Sequence, residues 1–345
     1  MKRKLIVGGG VGVILLLLSI VVSLSIGTAN LPIADIVGIL GKHIPGVSSH
    51  IEMSWPQSSE QILNKVRIPR VLLGILVGAS LSIAGAAFQG VLRNPLADPY
   101  SLGVSSGASV GAAILIYFGL QFAWFGQWSI PIVAFATGAI SLFLVLKLAL
   151  IDGKLKMETL ILSGVVMQAF LGAFVSFLVS ISNQVINEII FWLMGSLALR
   201  GWSYVYMIMP YLAVGMIILM GYARSLNLLA LGERQAAHLG VHVERTKLIV
   251  LTTATLITAS AVSVAGVIGF VGLIVPHLIR LIVGPDYRLI IPLSAIGGGI
   301  YVLWADTIAR TLLSPTEIPL GVITAFLGAP FFAYLLHKDK KTLRG

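Results

Sequence analysis

Long apolar stretches, separated by short charged clusters, dominate this sequence. A helix needs about 20 apolar residues to cross a bilayer, and a window of that length detects ten such segments. They run over residues 5–27, 71–92, 101–120, 129–150, 159–181, 204–222, 246–265, 267–283, 289–313 and 320–337. The pattern predicts an all-α, polytopic membrane protein with about ten transmembrane helices, in which residues 1–345 form a single transmembrane domain.

Composition excludes the soluble classes. Hydrophobic residues make up 57% of the 345 residues and charged residues only 10%, and the mean hydropathy is +1.00. A soluble domain does not carry that balance. The net charge of +10 comes without a basic run interleaved with aromatics, so nucleic-acid binding is not predicted. Cysteine is absent, which rules out disulfides, thiolate metal sites and thiol nucleophiles.

The distribution of cations predicts the orientation. With the amino terminus inside, threading the ten segments leaves six of the 23 lysines and arginines outside and the other 17 inside. Because cytoplasmic loops of membrane proteins carry an excess of Lys and Arg, both termini are expected in the cytoplasm. The chain itself is expected in the cytoplasmic membrane. The first segment could instead be a secretory signal, but its apolar run of about 22 residues exceeds the roughly 7–15 residues of a signal.

Two stretches outside the segments are long enough to matter. The external stretch 30–66 carries Ile33, Ile36, Val37 and Leu40 at helical spacing, which predicts a short helix lying on the membrane surface. The cytoplasmic stretch 224–244 is too polar to span. Within it two glycines bracket one or two turns rich in alanine, which fits either a short helix that a partner approaches closely or an ordinary loop.

Several motifs in this chain resemble those of the cobalamin and iron-siderophore permease family of ABC importers, the FecCD/BtuC-like transmembrane subunits. They are RIPR at 67–70, GAAFQG at 85–90, NPLADP at 94–99, LGVSSGA at 102–108, ALGERQA at 230–236, GFVGLIVPH at 269–277, PLGVIT at 319–324 and LGAP at 327–330. The blocks stand in the family's order and extend from Arg67 to the end of the chain.

The resemblance implies a ten-helix subunit that pairs with a second permease, identical or paralogous, in contact with membrane lipid. Separate ATPase subunits would bind below it and an extracytoplasmic substrate-binding protein above. It also implies the cargo, for which an iron-siderophore complex is the preferred prediction and cobalamin or haem the alternative. By the same analogy the ATPase would bind the cytoplasmic stretch 224–244. The coupling residues would be Leu231, Gly232, Glu233, Ala236, Ala237 and Gly240.

The resemblance further implies that arginines at the outer mouth receive carboxylates from the binding protein, and the matching residues here are Arg67, Arg70 and Arg310. A guanidinium presents a planar fork suited to that pairing. The alternative is that these arginines extend to lipid headgroups as ordinary flanks of the helices. Family analogy places the fifth and tenth segments along the translocation path, where Ser163 and Gln168 are candidates. Gln168 is equally predicted to bridge two helices.

The chain holds no Gly-x-x-x-x-Gly-Lys-Ser/Thr sequence, so it is predicted to be a transporter subunit without an ATPase site rather than an enzyme. An ion-coupled secondary transporter is the alternative, but such proteins place ionisable groups within the membrane and these segments have few. Asp306 and Arg310 stand at i and i+4 in the ninth segment. They could pair with each other, or Arg310 could have a functional role.

Two further patterns resemble chemical sites. Gly103-x-Ser105-x-Gly107 matches a nucleophile elbow, but Gly111 continues the four-residue repeat, which favours close helix packing. His238 and His242 stand at i and i+4 without a third ligand at a suitable spacing. No metal site and no cofactor are predicted.

Overall fold

The computed structural model describes residues 2–27, 31–42, 55–151 and 153–342. Its helices are α1 (Lys2–Ser25), α2 (Ile33–Lys42), α3 (Gln57–Ile62), α4 (Ile68–Leu92), α5 (Val104–Phe118), α6 (Ser129–Ala149), α7 (Met157–Ile181), α8 (Ile186–Leu193), α9 (Trp202–Leu229), α10 (Glu233–His238), α11 (Val243–Ala265), α12 (Val271–Val283), α13 (Tyr287–Thr311) and α14 (Leu320–Thr342). Two short strands, β1 (Leu150–Ile151) and β2 (Lys154–Leu155), pair as an antiparallel hairpin between α6 and α7. Of the predicted external stretch, residues 30 and 43–54 lie outside the described part.

Each of the ten predicted segments falls on one helix, namely α1, α4, α5, α6, α7, α9, α11, α12, α13 and α14. Within the described residues, seven helices are long and apolar enough to cross a membrane, and α5, α12 and the apolar part of α14 are shorter. The thirteen residues of α12 extend about 20 Å, less than the hydrocarbon thickness. The prediction of an almost entirely helical, polytopic membrane protein is confirmed.

The starts of α5 and α12 explain why these two helices are short. Helix α5 follows a 3₁₀ turn over Pro99–Leu102 and then Gly103, whose φ is 75°. Phe270, with a φ of 69°, precedes α12. A left-handed residue cannot continue a right-handed helix, so both helices begin later than the predicted segments at 101 and 267.

Several helices extend beyond their predicted limits, most of all α4 at its start and α9 at its end. A π-helical turn over Leu63–Arg67 joins α3 to α4 without a break, so helix begins well before the predicted start at 71. Helix α9, which contains the sixth predicted segment, continues past 222 to Leu229. Its final turns are amphipathic, with Ala223 and Leu226 buried and Arg224 exposed, and helix ends shortly before Gly232, whose φ is 123°.

The centre of the bundle is α4, which packs against α9, α11, α12 and α13. Glycines allow its closest contacts. Gly78 lies against the backbone of Gly298 on α13, and Gly85 lies against the carbonyl of Gly272 on α12, and neither site has room for a Cβ atom. Helices associate in a membrane through such small residues, because lipid gives them no hydrophobic drive to pack.

The N-terminal helix α1 presents most of its surface outward, with Ile6, Ile14 and Leu18 each more than half exposed. Its contacts run mainly along α13 and include two polar ones. Trp304 Nε1 donates to Ser19 Oγ at 3.0 Å, and the hydroxyls of Ser23 and Thr307 are 2.9 Å apart.

The predicted surface helix is present as α2. Ile36 and Ile39 are fully buried beside Leu24 and Trp55, whereas Ile33, Val37 and Leu40 remain exposed on the opposite side. This two-sided burial suits a helix that rests on the bundle with one side and meets lipid with the other.

The repeated glycines near Ser105 serve packing. Gly107 and Gly111 lie against Thr137 and its neighbours on α6, where a Cβ atom would collide with the carbonyl of Thr137 at position 107 and with the Thr137 side chain at position 111. Ser141 Oγ donates to the carbonyl of Gly103 at 2.9 Å. Ser105 itself stands in the first turn of α5 after a 3₁₀ turn, without the strand that a nucleophile elbow requires.

Candidate functional site

An ion cluster joins α4, α13 and the α13–α14 loop at the predicted outer end of the bundle. Arg70 binds Asp306 through Nε at 3.0 Å and Nη2 at 2.9 Å, and binds Glu317 through Nη1 at 2.8 Å and Nη2 at 2.9 Å. The Arg70 side chain is 11% exposed and that of Asp306 3%. One guanidinium therefore holds two carboxylates, each through two hydrogen bonds, which is the strong geometry for such pairs.

The other two predicted docking arginines bind the end of α1. Arg310 Nη2 donates to the carbonyl and the hydroxyl of Ser23, the latter at 2.7 Å. Arg67 Nη1 donates to the carbonyls of Leu24 and Ser25. The last carbonyls of a helix lack partners within the helix, so the two guanidinium groups satisfy them and also favour its negative end.

The structure thus gives all three arginines partners within the chain. Arg67 is 4% exposed and Arg310 6%, so neither extends to lipid headgroups. The cluster borders a cavity of about 120 Å³ lined by Arg67, Arg70, Arg310 and Glu317, among others. The predicted pair of Asp306 with Arg310 is present but long, at 3.8 Å, because Arg70 is the nearer partner of Asp306.

Sequence reasoning missed Glu317, because it lies in a loop 247 residues from its partner in the chain. The Arg70 guanidinium, by hydrogen bonding to Glu317, holds the pKa of that carboxyl below its ordinary value. A depressed carboxyl pKa means that the stabilising contribution is present above the unfolded-state pKa and is lost as the pH falls through the folded-state pKa.

At the opposite end of the bundle, the predicted short helix between Gly232 and Gly240 is present as α10. Both glycines have positive φ, 123° and 85°, and so turn the chain sharply on either side. Leu231 and Leu239 are 63% and 59% exposed, and Ala237 is exposed between them. We call Leu231, Ala237 and Leu239 the α10 surface, and its small central residue leaves room for a close partner.

Some of the predicted coupling residues contact the bundle instead, although the Glu233 side chain is still 36% exposed. Ala236 is fully buried against the bundle. Glu233 binds Lys247 on α11, with 2.7 Å between Oε2 and Nζ. These residues therefore fix α10 in place, while the α10 surface is what a partner could touch.

Asn227 ties the end of α9 to the start of α13. Its amide donates to Asp286 Oδ1 at 2.7 Å and accepts from the backbone N–H of Tyr287 at 2.8 Å. Hydrogen bonds from Arg288, with a smaller contribution from Asn227, lower the pKa of Asp286 to about 2. Asp286 also caps α13 by accepting from the N–H of Arg288, so the connection is anchored at both sides.

Of the two predicted path residues, Gln168 bridges elements. Its Nε2 donates to the carbonyl of Tyr100 at 2.8 Å, and the Tyr100 hydroxyl donates to the carbonyl of Ile268 at 2.9 Å. Ser163 is buried next to Gly164, which packs on the carbonyl of Ser101. The apolar side chains of Leu162 and Phe170 form the exposed side of α7.

An apolar groove of about 640 Å³ lies between the end of α8, the segment before α12 and the start of α14. Its walls include Met194, Phe270, Phe326 and Pro330. Hydropathy alone does not reveal it, because every wall residue also fits a lipid-facing surface. Among the described residues no group of three His, Cys, Asp or Glu side chains is placed to hold a metal ion.

Comparison with known proteins assigns the chain. The FecCD transport family model matches residues 15–338. YvrB, an ABC transporter permease of Bacillus subtilis, is 42% identical over 96% of this chain and 93% of its own length. The cobalamin import permease BtuC of Halobacterium salinarum is 46% identical over 83% of this chain and 76% of its own length. Other relatives carry names for import of hemin, iron(3+)-hydroxamate, Fe(3+) dicitrate and molybdate.

A solved structure agrees with the sequence relatives. An ABC transporter of the metal-chelate type, in an inward-facing conformation, matches with a TM-score of 0.82 and 32% identity over 96% of this chain and 99% of its own. With its apolar helices and its several permease relatives, this chain is a multi-pass permease of an ABC importer in the cytoplasmic membrane, and is not itself an enzyme. The chain belongs to the FecCD transport family.

Proposed function

We propose that this permease carries a metal chelate, of the iron-siderophore class, across the cytoplasmic membrane, driven by a separate ATPase that docks on the α10 surface. The observation that supports ATPase docking is the exposure of Leu231 and Leu239 around Ala237 on a short helix held by buried contacts. Apolar side chains that protrude from an otherwise polar end of the bundle mark an interaction site.

Cobalamin is the second candidate cargo, and the 46% identity to the cobalamin permease of Halobacterium salinarum favours it. Both cargoes are bulky chelates that keep their own metal ligands, so neither requires a metal site in the chain. Uptake assays with the reconstituted transporter distinguish the two cargoes. Uptake of a labelled ferric siderophore is measured in competition with unlabelled cobalamin, and uptake of labelled cobalamin in competition with the unlabelled siderophore.

In the proposed complex a second permease, identical or paralogous, completes the translocation path, and α7 and α14 line it together with the apolar groove. Ser163 and Gln168 stand on α7, where Gln168 would act by holding α7 to the 3₁₀ turn that contains Tyr100. The loaded binding protein would dock over the outer ion cluster. For Arg70 to accept a carboxylate of that partner, it must release Glu317.

Replacing Ala237 with tryptophan is expected to weaken ATPase binding at least roughly tenfold, because a bulky side chain would hold the two surfaces apart. Co-purification and ATP-driven uptake in proteoliposomes measure the effect. Ala123→Trp, at an exposed alanine in the α5–α6 loop, is the matched control and should bind normally. Uptake driven by an ion gradient without ATP or any partner would instead identify a secondary transporter.

All ten apolar helices are proposed to cross the membrane, with both termini in the cytoplasm. A cysteine at exposed Ser58 on α3 should then react with a membrane-impermeant thiol reagent added to intact cells, whereas a cysteine at exposed Gln235 on α10 should react only after permeabilisation. The native chain has no cysteine, so each label reports one position. The opposite pattern would reverse the proposed orientation.

A further inference from the structure

A lysine is buried beside the proposed ATPase-docking site. Lys247 lies in the second turn of α11 and is 2% exposed. Lysine is almost never fully buried unless it is paired, because an ammonium group removed from water needs partners to offset its lost hydration.

The partners of Lys247 come from three different elements. Its Nζ lies 2.7 Å from Glu233 Oε2 on α10, 3.2 Å from Glu244 Oε1 on α11 and 3.5 Å from the carbonyl of Leu155 on β2. Glu244 Oε2 in turn accepts from the N–H of Leu155 at 2.8 Å. An ammonium group has three donors, and here each donor serves a separate element.

Two of these partners lie close in the chain to the two regions used in the proposed transport, the α10 surface and α7. Glu233 is the first residue of α10 and follows Leu231 of the α10 surface by two positions. Leu155 is separated only by Lys156 from the start of α7. One buried ammonium group therefore links α10 to the beginning of the helix that is proposed to line the path.

We propose that Lys247 is the positioning residue that couples the α10 surface to α7. This role rests on the proposed docking of an ATPase at α10. The contact is protected from water on the lysine side, so salt and solvent screen it less than a surface pair. Glu233 and Glu244 are 36% and 40% exposed, so both carboxylates can be hydrated if the lysine is removed.

Lys247→Met tests the role, because methionine fills the buried space without the charge. Spin labels at Ala237→Cys on α10 and Lys154→Cys on β2 report how firmly the two elements are joined. In the Lys247→Met chain we expect the distribution of distances between the labels to broaden at least about twofold, as expected when a local anchor is lost. The control is Lys147→Met, an exposed lysine at the same end of the bundle, which should leave the distribution narrow.

The second measurement is the amount of cargo taken up per ATP hydrolysed by the assembled transporter. Lys247→Met should still bind the ATPase and hydrolyse ATP, but the ratio should fall at least roughly fivefold, the lower end of typical coupling between sites. If Lys247→Met yields no folded protein, Glu233→Gln, which weakens only the α10 contact, decides by the same two measurements.

The outcomes separate this role from the proposed function. An unchanged distance distribution, or an unchanged ratio of cargo to ATP, overturns the coupling role of Lys247 alone. A native transporter whose uptake does not depend on ATP overturns the proposed function, and the coupling role with it.

Discussion

Gly78→Val is expected to prevent α4 and α13 from packing and so to destabilise the whole bundle. A Cβ atom at position 78 collides with the backbone carbonyl of Gly298, and a Cβ atom at 298 would collide in turn with Gly78. Overpacking of side chains typically costs about 1–3 kcal/mol, and here the obstacle is backbone, which cannot change rotamer. We expect a loss of about 3 kcal/mol or more.

Thermal unfolding in detergent and the yield of monodisperse protein measure this loss. Gly172→Ala on α7 is the matched control, because nothing lies within 4 Å of a Cβ atom at that position. Alanine is a better helix former than glycine by about 0.5–1 kcal/mol, so the control should be neutral or stabilising. If both variants unfold at the same temperature, α4 and α13 are not in direct backbone contact.

Hydropathy predicted the helices because apolar length is a local property of the sequence. Each of the ten segments falls on a helix, whereas the glycines at 232 and 240 left a short helix and an ordinary loop equally possible between them. The ends of the helices were harder to predict from the sequence. Polar residues such as Arg224 mark the end of an apolar run without ending a helix, and backbone angles such as the positive φ of Phe270 have no signature in hydropathy.

Long-range pairing could not be predicted from spacing. The rule for residues at i and i+4 correctly proposed a contact between Asp306 and Arg310, yet the closer partner, Arg70, is 236 residues away. Glu233 was predicted to face the ATPase because it lies in a matching motif, and its contact with Lys247 appears only once α10 and α11 are folded together. Sequence motifs marked candidate regions but did not show which side chains face outward.

The outer ion cluster is expected to stabilise the fold strongly, and Asp306→Asn tests this. The substitution keeps the shape but removes the charge that faces Arg70 at 2.9 Å and Arg310 at 3.8 Å. Removing one partner of a buried pair typically costs about 3–5 kcal/mol, and we expect the lower end of that range because Glu317 still pairs with Arg70. Glu60→Gln is the control, since its pair with Lys42 is 3.9 Å long and partly exposed, and such pairs contribute at most about 1 kcal/mol.

A double variant separates the stabilising role of Arg70 from its proposed docking role. Replacing a buried ion pair with apolar residues of similar volume is often nearly neutral, so Arg70→Met combined with Asp306→Leu should recover much of the stability lost in Asp306→Asn. This folded chain lacks the guanidinium fork at position 70. If the binding protein delivers a carboxylate to Arg70, its affinity for the double variant should fall at least roughly tenfold, and the native interaction should weaken as salt rises. Native affinity in the double variant would mean that Arg70 serves the fold alone, with its fork committed to Asp306 and Glu317.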